Sequence, residues 1–194
     1  KELPDHPAIL IAGCGTGQQI INVAISNPNA KIFAIDLSAS SLTFAELMVK
    51  KYGISNVDFK LHDILQVDQL KASFDLVICT GVLHHMAEPA RGLAALEGVL
   101  KPTGIMQLAF YSRTGREYLT KFKQDILAIE GSEDKKGLQQ AIRKWKSETP
   151  RDLIPNDLLQ NTEFYFLNGL YDLLFHPQQT EYSMLELGEM LASC

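Results

Sequence analysis

Three glycines at alternate positions, Gly13, Gly15 and Gly17, follow a short apolar run near the start of the chain. Glycine permits a positive φ in a tight turn, and its missing Cβ lets a ligand approach the backbone closely. Helical periodicity begins at Gln18, and a helix there would offer free N–H groups and a partial positive charge to a carboxylate or a phosphate. The spacing therefore predicts a ligand-binding turn between a strand and a helix.

Two acidic residues follow the next two apolar segments. Asp36 ends the second predicted strand, where its carboxylate could accept both hydroxyls of a ribose or cap the following helix. Asp63 closes the third predicted strand and could accept a hydrogen bond from the exocyclic amine of an adenine. Gln18 stands where the dinucleotide fingerprint G-x-G-x-x-G has its third glycine, which argues against a bound pyrophosphate. The turn and the two acids together predict an adenosine pocket.

These residues need a scaffold that brings strand ends together, and the first half of the chain has that pattern. Apolar strand-like runs at 8–12, 31–35, 57–61, 74–79 and 105–111 alternate with helical periodicity, and 101–104 is predicted to be a turn. This alternation is typical of an α/β, doubly wound, mostly parallel sheet with helices on both faces. Ligands of such sheets bind at the carboxyl ends of the strands.

From residue 112 onwards the pattern changes, because charges become frequent and strand signals stop. We interpret 1–111 as the binding core, 112–182 as a mainly helical insertion and 183–194 as the last helix of the core. Aromatic residues in 163–175 are expected to pack in the core of the insertion, and a lid over the acceptor is the functional alternative. The charged cluster around 133–148 is read as a solvated helix face.

Composition excludes some classes of partner. The net charge of −5 argues against a nucleic-acid binder, and no apolar run approaches the roughly 20 residues of a membrane span. The three cysteines, Cys14, Cys79 and Cys194, are scattered, which favours reduced thiols and a cytoplasmic location. We expect no metal site.

Five segments resemble the class I S-adenosylmethionine-dependent methyltransferases, over roughly residues 8–110. They are AGCGTGQ (12–18), AIDLS (34–38), LHDI (61–64), FDLVICTGVLHHM (74–86) and VLKPTGIM (99–106). The chain departs from the family at Ile11, where an acid usually stands, and its last two strands, normally antiparallel, are not visible. We therefore expect a truncated chain. The tail is similar to bacterial methyltransferase domains that follow tetratricopeptide repeats, which implies an N-terminal repeat domain in the full-length protein.

The resemblance implies a Rossmann-like methyltransferase fold, S-adenosyl-L-methionine as the cofactor, and methyl transfer to an unidentified small-molecule or protein acceptor. The alternatives are a catalytically inactive domain that binds S-adenosylmethionine or S-adenosylhomocysteine, and a nicotinamide-dependent oxidoreductase. The cofactor-binding residues implied by the resemblance are Gly13, Gly15, Gly17, Gln18, Asp36, Leu37, Asp63, Ile64, Thr80 and Gly81.

Three residues are candidates for catalysis. His84 and His85 follow the fourth predicted strand and could act as a general base or orient the acceptor, or could only pack at the loop–helix junction. Tyr111 ends the fifth predicted strand and could bind the acceptor or merely line the cleft.

Overall fold

The computed structural model describes residues 2–130 and 134–192. It divides the chain into two compact units, residues 1–110 with 185–194, and residues 111–184. The predictions that concern Glu133 and Cys194 lie outside the described residues.

The first unit contains a parallel sheet of five strands in the order β3-β2-β1-β4-β5. The strands are β1 (Ala8–Ala12), β2 (Lys31–Asp36), β3 (Val57–Leu61), β4 (Phe74–Thr80) and β5 (Leu100–Ala109). Chain order reverses between β1 and β4, and the crevice at such a switch point is where open α/β sheets bind ligands. The predicted doubly wound α/β fold is confirmed.

Both faces of β1 are buried, as expected for a strand covered by helices on two sides. Leu10 and Ala12 belong to one hydrophobic cluster, with β4 residues such as Val77. Ile9 and Ile11 belong to the other. Ile11 is fully buried in this apolar layer, so the position where the family usually carries an acid is part of the core here.

The crossovers of the first unit are helical. They are α1 (Gln18–Ser26), α2 (Ala39–Lys51), a 3-10 helix (Ile64–Leu70), a second 3-10 helix (Leu83–His85) and α3 (Pro89–Gly98). Gly17 is the N-cap of α1, and Ser38 caps α2 by accepting a hydrogen bond from the Ser41 N–H. The caps lie where parallel strands end, so α1 and α2 both start at the predicted binding edge.

The fifth strand corrects two predictions. Residues 101–104 were expected to form a turn, but they lie inside β5, where the register with β4 shifts between Phe74 and Leu76. Tyr111 does not end β5, because pairing with β4 stops at Ala109.

The second unit is mainly helical. Its helices are α4 (Glu117–Glu130), α5 (Lys135–Glu148), α6 (Asn156–Gln160) and α7 (Leu167–Phe175), with 3-10 turns at Thr114–Arg116, Arg151–Leu153 and Thr162–Tyr165. Two short strands, β6 (Tyr111–Ser112) and β7 (Glu181–Tyr182), pair in parallel. The prediction that strands stop at residue 112 was therefore wrong, because β7 lies beyond it. The last helix, α8 (Met184–Ala192), follows.

Aromatic residues of the second unit pack only in part. Phe122 contacts Trp145 and Phe164 edge-on, with ring centroids 4.9 and 5.7 Å apart. Phe164 lies in the core of this unit, with Tyr171 and Phe175 packed against it, as expected. Tyr165 and Phe166 are largely exposed, so for these two residues the expectation was wrong. The reason is local, because the 3-10 turn ends at Tyr165 and α7 begins only at Leu167, so helical spacing is interrupted.

None of the helices in the described ranges combines the length and apolar character that a transmembrane span requires.

Candidate functional site

The turn between β1 and α1 holds all three glycines in the left-handed region, with φ of 71° at Gly13, 52° at Gly15 and 90° at Gly17. A Cβ on Gly13 would lie 2.3 Å from Val82 Cγ2, and one on Gly17 would lie 2.8 Å from Ala45 Cβ. A Cβ on Gly15 would meet no atom within 4 Å. Protein packing therefore requires Gly13 and Gly17, whereas Gly15 leaves open space over the turn.

Asp36 ties the end of β2 to this turn. Its Oδ2 accepts a hydrogen bond from the Gly15 N–H at 2.7 Å, and its Oδ1 accepts one from the Ser38 N–H at 2.8 Å. The N–H groups of Gly13 and Cys14 donate to the Ile35 carbonyl at 2.8 and 3.0 Å. Asp36 thus braces the loop, which the apolar side chain of Ile11 cannot do by hydrogen bonding.

Asp36 and Asp63 line the same cavity, which has a volume of about 150 Å³. The cavity is walled by Gly13, Asp36, Leu37, His62, Asp63, Ile64, Val82 and Met86. Asp63 lies two residues beyond the end of β3, and its Oδ1 caps the following 3-10 helix by accepting from the Leu65 N–H at 2.9 Å. Apolar walls with two carboxylates at the edge suit a flat heterocycle that carries hydroxyl and amine donors.

A second cavity, of about 460 Å³, shares Gly13 with the first. It is lined by Gly13, Cys14, Gly15, Thr16, Gly17, Gln18, Gln19, Asn22 and Thr80. The Thr80 hydroxyl, at the end of β4, donates to Gln19 Oε1 at 2.9 Å. No side chain on this wall carries a formal charge, so a bound group would be recognised by neutral donors and acceptors.

The two buried thiols of the first unit have raised pKa values. Burial raises the pKa of Cys14 to about 12, and the nearby Asp36 carboxylate adds to the effect. Burial likewise raises the pKa of Cys79 to about 12. Both therefore stay protonated at neutral pH. The described residues contain no group of three or more His, Cys, Asp or Glu side chains arranged to hold a metal ion.

The residues predicted to bind the cofactor lie on the two cavity walls, with the exception of Gly81. Gly81 has a φ of 75°, and its N–H faces the Ala109 carbonyl at 3.5 Å. Outside the glycine turn and the loop after β4, sequence reasoning missed His62, Gln19 and Asn22. The position of His62 beside Asp63 was the one signal that could have found any of them.

The three candidates for catalysis do not line either cavity. His84 is buried and His85 half-buried in the Leu83–His85 turn, with ring centroids 4.4 Å apart. Tyr111 belongs to the second unit, where the Arg116 guanidinium carbon lies 3.7 Å from the centroid of its ring.

The residues present fit an adenosyl ligand. The described cavities offer a carboxylate at each of two strand ends, apolar side chains between them, and a Cβ-free approach at Gly15. The neutral wall adjoining the same turn provides donors and acceptors for an amino-acid moiety.

Comparison with known proteins gives a consistent result. Residues 5–165 match the family described as "Methyltransferase domain". An uncharacterised protein of Synechococcus sp., syc1184_c, is 40% identical over 127 residues, which is 65% of this chain and 30% of that protein. The ubiquinone biosynthesis O-methyltransferase of Idiomarina loihiensis is 29% identical over 172 residues, 87% of this chain and 65% of that enzyme.

Solved structures agree on the fold. PKMT2 from Rickettsia typhi in complex with AdoHcy superposes with a TM-score of 0.77 at 21% identity, covering 99% of this chain and 39% of that one. The chain spans between 30% and 65% of the length of these relatives. With its sequence match over most of its length and this fold, the chain belongs to the methyltransferase-domain family, the class I S-adenosylmethionine-dependent methyltransferases.

Proposed function

We propose that this chain transfers a methyl group from S-adenosylmethionine to a small-molecule or protein acceptor. The observation that carries the proposal is that Asp36 and Asp63 line one cavity beside the glycine turn. When bound, S-adenosylmethionine would supply an electrophilic methyl group: the acceptor nucleophile would attack the methyl carbon in line as the bond to the sulfonium sulfur breaks, leaving S-adenosylhomocysteine. The protein contributes mainly by positioning, since holding the reactants in near-attack geometry removes much of the barrier.

Each wall has its own part in this proposal. Asp36 accepts the ribose hydroxyls with the lone pairs not used by Gly15 and Ser38. Asp63 accepts from the adenine amine, while Leu37 and Ile64 cover the faces of the ring. Thr80 and Gln18 take the amino-acid end with the help of Gln19, and Gly81 shapes the chain beyond β4.

The acceptor class is proposed from the relatives of the chain. Relatives at 29 and 30% identity carry the name ubiquinone biosynthesis O-methyltransferase, so an oxygen nucleophile is the first class to test. His85, half-buried after β4, is proposed as the general base or orienting group. We propose no catalytic role for His84, which is 1% exposed, or for Tyr111, whose ring contacts the Arg116 guanidinium. We propose further that the protein is cytoplasmic, does not bind nucleic acid and has an N-terminal repeat domain.

Two alternatives remain to be tested against this proposal. An inactive binding domain is favoured by Ile11, which removes the acid usually placed there. A nicotinamide-dependent oxidoreductase is disfavoured by Gln18 and by the family match.

Thermal unfolding with S-adenosylmethionine, S-adenosylhomocysteine and NAD separates the three. A ligand at 100 times its Kd adds about 2.7 kcal/mol to the free energy of unfolding, which is easily measured. Stabilisation by both adenosyl ligands, with methyl transfer to an oxygen, nitrogen or sulfur nucleophile from a panel, is the expected result. Stabilisation without transfer to any of them would indicate the inactive domain, and stabilisation by NAD alone would overturn the proposal.

A further inference from the structure

The second unit has a cavity of its own, about 250 Å³ in volume, within residues 111–184. Its polar wall consists of Arg116, Thr120, Lys123, Gln179 and Glu181, and three leucines of α4 and α7 form the rest. At roughly 30 Å³ for each water-sized unit, this volume accommodates about eight non-hydrogen atoms. None of these residues was given a role in the proposed methyl transfer.

Arg116 is a buried and firmly held charge on this wall. Its side chain is only 10% exposed. Nε donates to Glu181 Oε1 at 2.9 Å, Nη2 donates to the Leu173 carbonyl at 3.2 Å, and the guanidinium stacks on Tyr111. The planar fork is thereby fixed, and Nη1 has no hydrogen-bond acceptor among the described residues. Nη1 is not one of the fully buried polar atoms that lack a partner in the described ranges, so an acceptor from outside the protein can reach it.

Lys123 brings a second cation to the same wall. Its Nζ donates to the Leu174 carbonyl at 2.8 Å and lies 4.6 Å from the centroid of the Phe175 ring. Both cations therefore stand at the C-terminal end of α7, where helix carbonyls attract positive charge. The hydrogen bond to Leu174 uses one of the three N–H donors of the ammonium. The other two make no hydrogen bond to the described residues and can donate to a ligand.

The charges on the wall do not balance. Arg116 and Lys123 contribute two positive charges, and Glu181 contributes the one negative charge among the lining residues. The Thr120 hydroxyl and the Gln179 amide add neutral donors. A single excess positive charge, several donors and leucine side chains together match an amphipathic monoanion rather than a highly charged ligand.

We propose that this cavity binds a small carboxylic acid with a short apolar chain. The carboxylate accepts hydrogen bonds from Lys123 Nζ and Arg116 Nη1, and the hydrocarbon part packs on the leucines of α4 and α7. A hydrogen bond between charged groups is about twice as strong as one between neutral groups. We therefore expect the charges of the carboxylate and of the two cations to contribute most of the affinity.

The test is a titration of the whole chain, followed by ¹H–¹⁵N NMR, with hexanoate and with its neutral analogue hexanamide. We expect saturable shifts of second-unit resonances with hexanoate and about tenfold weaker binding of hexanamide. Lys123→Met should weaken hexanoate binding by about tenfold, whereas Lys123→Arg should retain it. Lys121→Met is the matched control, because Lys121 is exposed on the same helix.

Three outcomes would overturn the proposal: no binding of hexanoate, equal binding of the amide, or unchanged hexanoate affinity in Lys123→Met. If Lys123→Met loses its native circular dichroism spectrum, Thr120→Val provides a second variant, with a smaller loss of affinity expected. Inorganic phosphate is the comparison anion, and competition by phosphate at equal concentration would also overturn the proposal, because the cavity would then not select a monoanionic carboxylate.

Discussion

The Asp36 carboxylate accepts a hydrogen bond from the Gly15 N–H at 2.7 Å, which links the end of β2 to the middle of the glycine turn. Its other oxygen accepts from Ser38 N–H at 2.8 Å. The side chain that is proposed to hold the ribose therefore also shapes the loop that the ligand approaches. Ligand binding and loop order should be lost together when Asp36 is changed.

Asp36→Ala is expected to abolish stabilisation by S-adenosylmethionine and to lower the free energy of unfolding by about 1–3 kcal/mol, because two backbone donors lose a charged acceptor. Urea denaturation with and without ligand measures both effects. Asp58→Ala is the control, since Asp58 makes one exposed ion pair with Lys31 at 3.9 Å and such pairs contribute little. A ligand-induced shift that persists in Asp36→Ala would remove the ribose role.

Gly15 and Gly17 provide a matched pair of alanine substitutions. Both have positive φ, which costs an alanine about 1–2 kcal/mol. Only an alanine at position 17 would also collide with a neighbour, because its methyl group would lie 2.8 Å from Ala45 Cβ. We expect Gly17→Ala to be the more destabilising in urea, while Gly15→Ala stays folded and loses affinity for S-adenosylmethionine, because its methyl projects into open space over the turn. Equal destabilisation by the two would show that Ala45 yields.

The sequence was informative where function depends on position along a strand. Asp36 and Asp63 could be identified because apolar runs end at or just before them, and parallel strands bring such ends to one edge. Gln19 and Asn22 could not be, since periodicity identifies the buried side of α1 but not which polar side chains face a cavity. Residues 101–104 were predicted to form a turn because Pro102 and Gly104 are common turn residues. They lie instead inside β5, where the pairing register with β4 shifts.

In the second unit, the contacts that build the cavity join residues far apart in the chain. Arg116 and Glu181 are 65 positions apart, and no local pattern predicts that they meet. Tyr111 was assigned to the fifth strand from its apolar neighbours, but its partner in pairing is Glu181. Long-range pairing of this kind is decided by packing, which propensity and periodicity do not encode.

Asp75 makes the stability of the first unit sensitive to acid. Burial acts to raise its pKa, but hydrogen bonds from Lys101 Nζ at 2.7 Å and the Ala8 N–H at 2.8 Å, with the charge of Lys101, outweigh burial and lower the pKa. A lowered folded-state pKa gives stability that is present above the unfolded pKa of about 3.9 and lost as pH falls through the folded value.

Lys101→Met should reduce this acid sensitivity. Without the Lys101 charge and hydrogen bond, less remains to offset the effect of burial on the ionisation of Asp75. We expect the variant to be less stable than the parent chain at pH 7 and the difference to shrink below about pH 4. Urea midpoints measured across this range test the expectation. Lys31→Met serves as the control, since its partner Asp58 is exposed. A difference that is constant with pH would mean that Lys101 acts without the Asp75 carboxylate.

His84 and His85 should separate folding from chemistry. His85→Ala is expected to leave the Kd for S-adenosylmethionine within about twofold, because His85 lines neither cavity. His84→Ala should lower the free energy of unfolding by about 1–3 kcal/mol, since His84 is 1% exposed. Calorimetric titration and urea denaturation measure these effects. Loss of cofactor binding in His85→Ala would mean that the loop after β4 reaches the ligand differently.

The Thr80 hydroxyl donates to Gln19 Oε1 at 2.9 Å, and this bond fixes the orientation of the Gln19 amide on a wall without formal charge. With Oε1 engaged, the Nε2 end remains to donate to a carboxylate such as that of a bound amino-acid moiety. Thr80→Val removes the donor at nearly constant volume, so we expect the fold to persist and the Kd for S-adenosylmethionine to rise about tenfold. Thr43→Val is the control, because the Thr43 hydroxyl donates to the Ala39 carbonyl on the exposed side of α2.

An adenosine titration adds the decisive comparison. Adenosine lacks the amino-acid moiety, so its Kd should be the same in Thr80→Val and the parent chain, and an equal loss for both ligands would place Thr80 in the adenosine pocket instead.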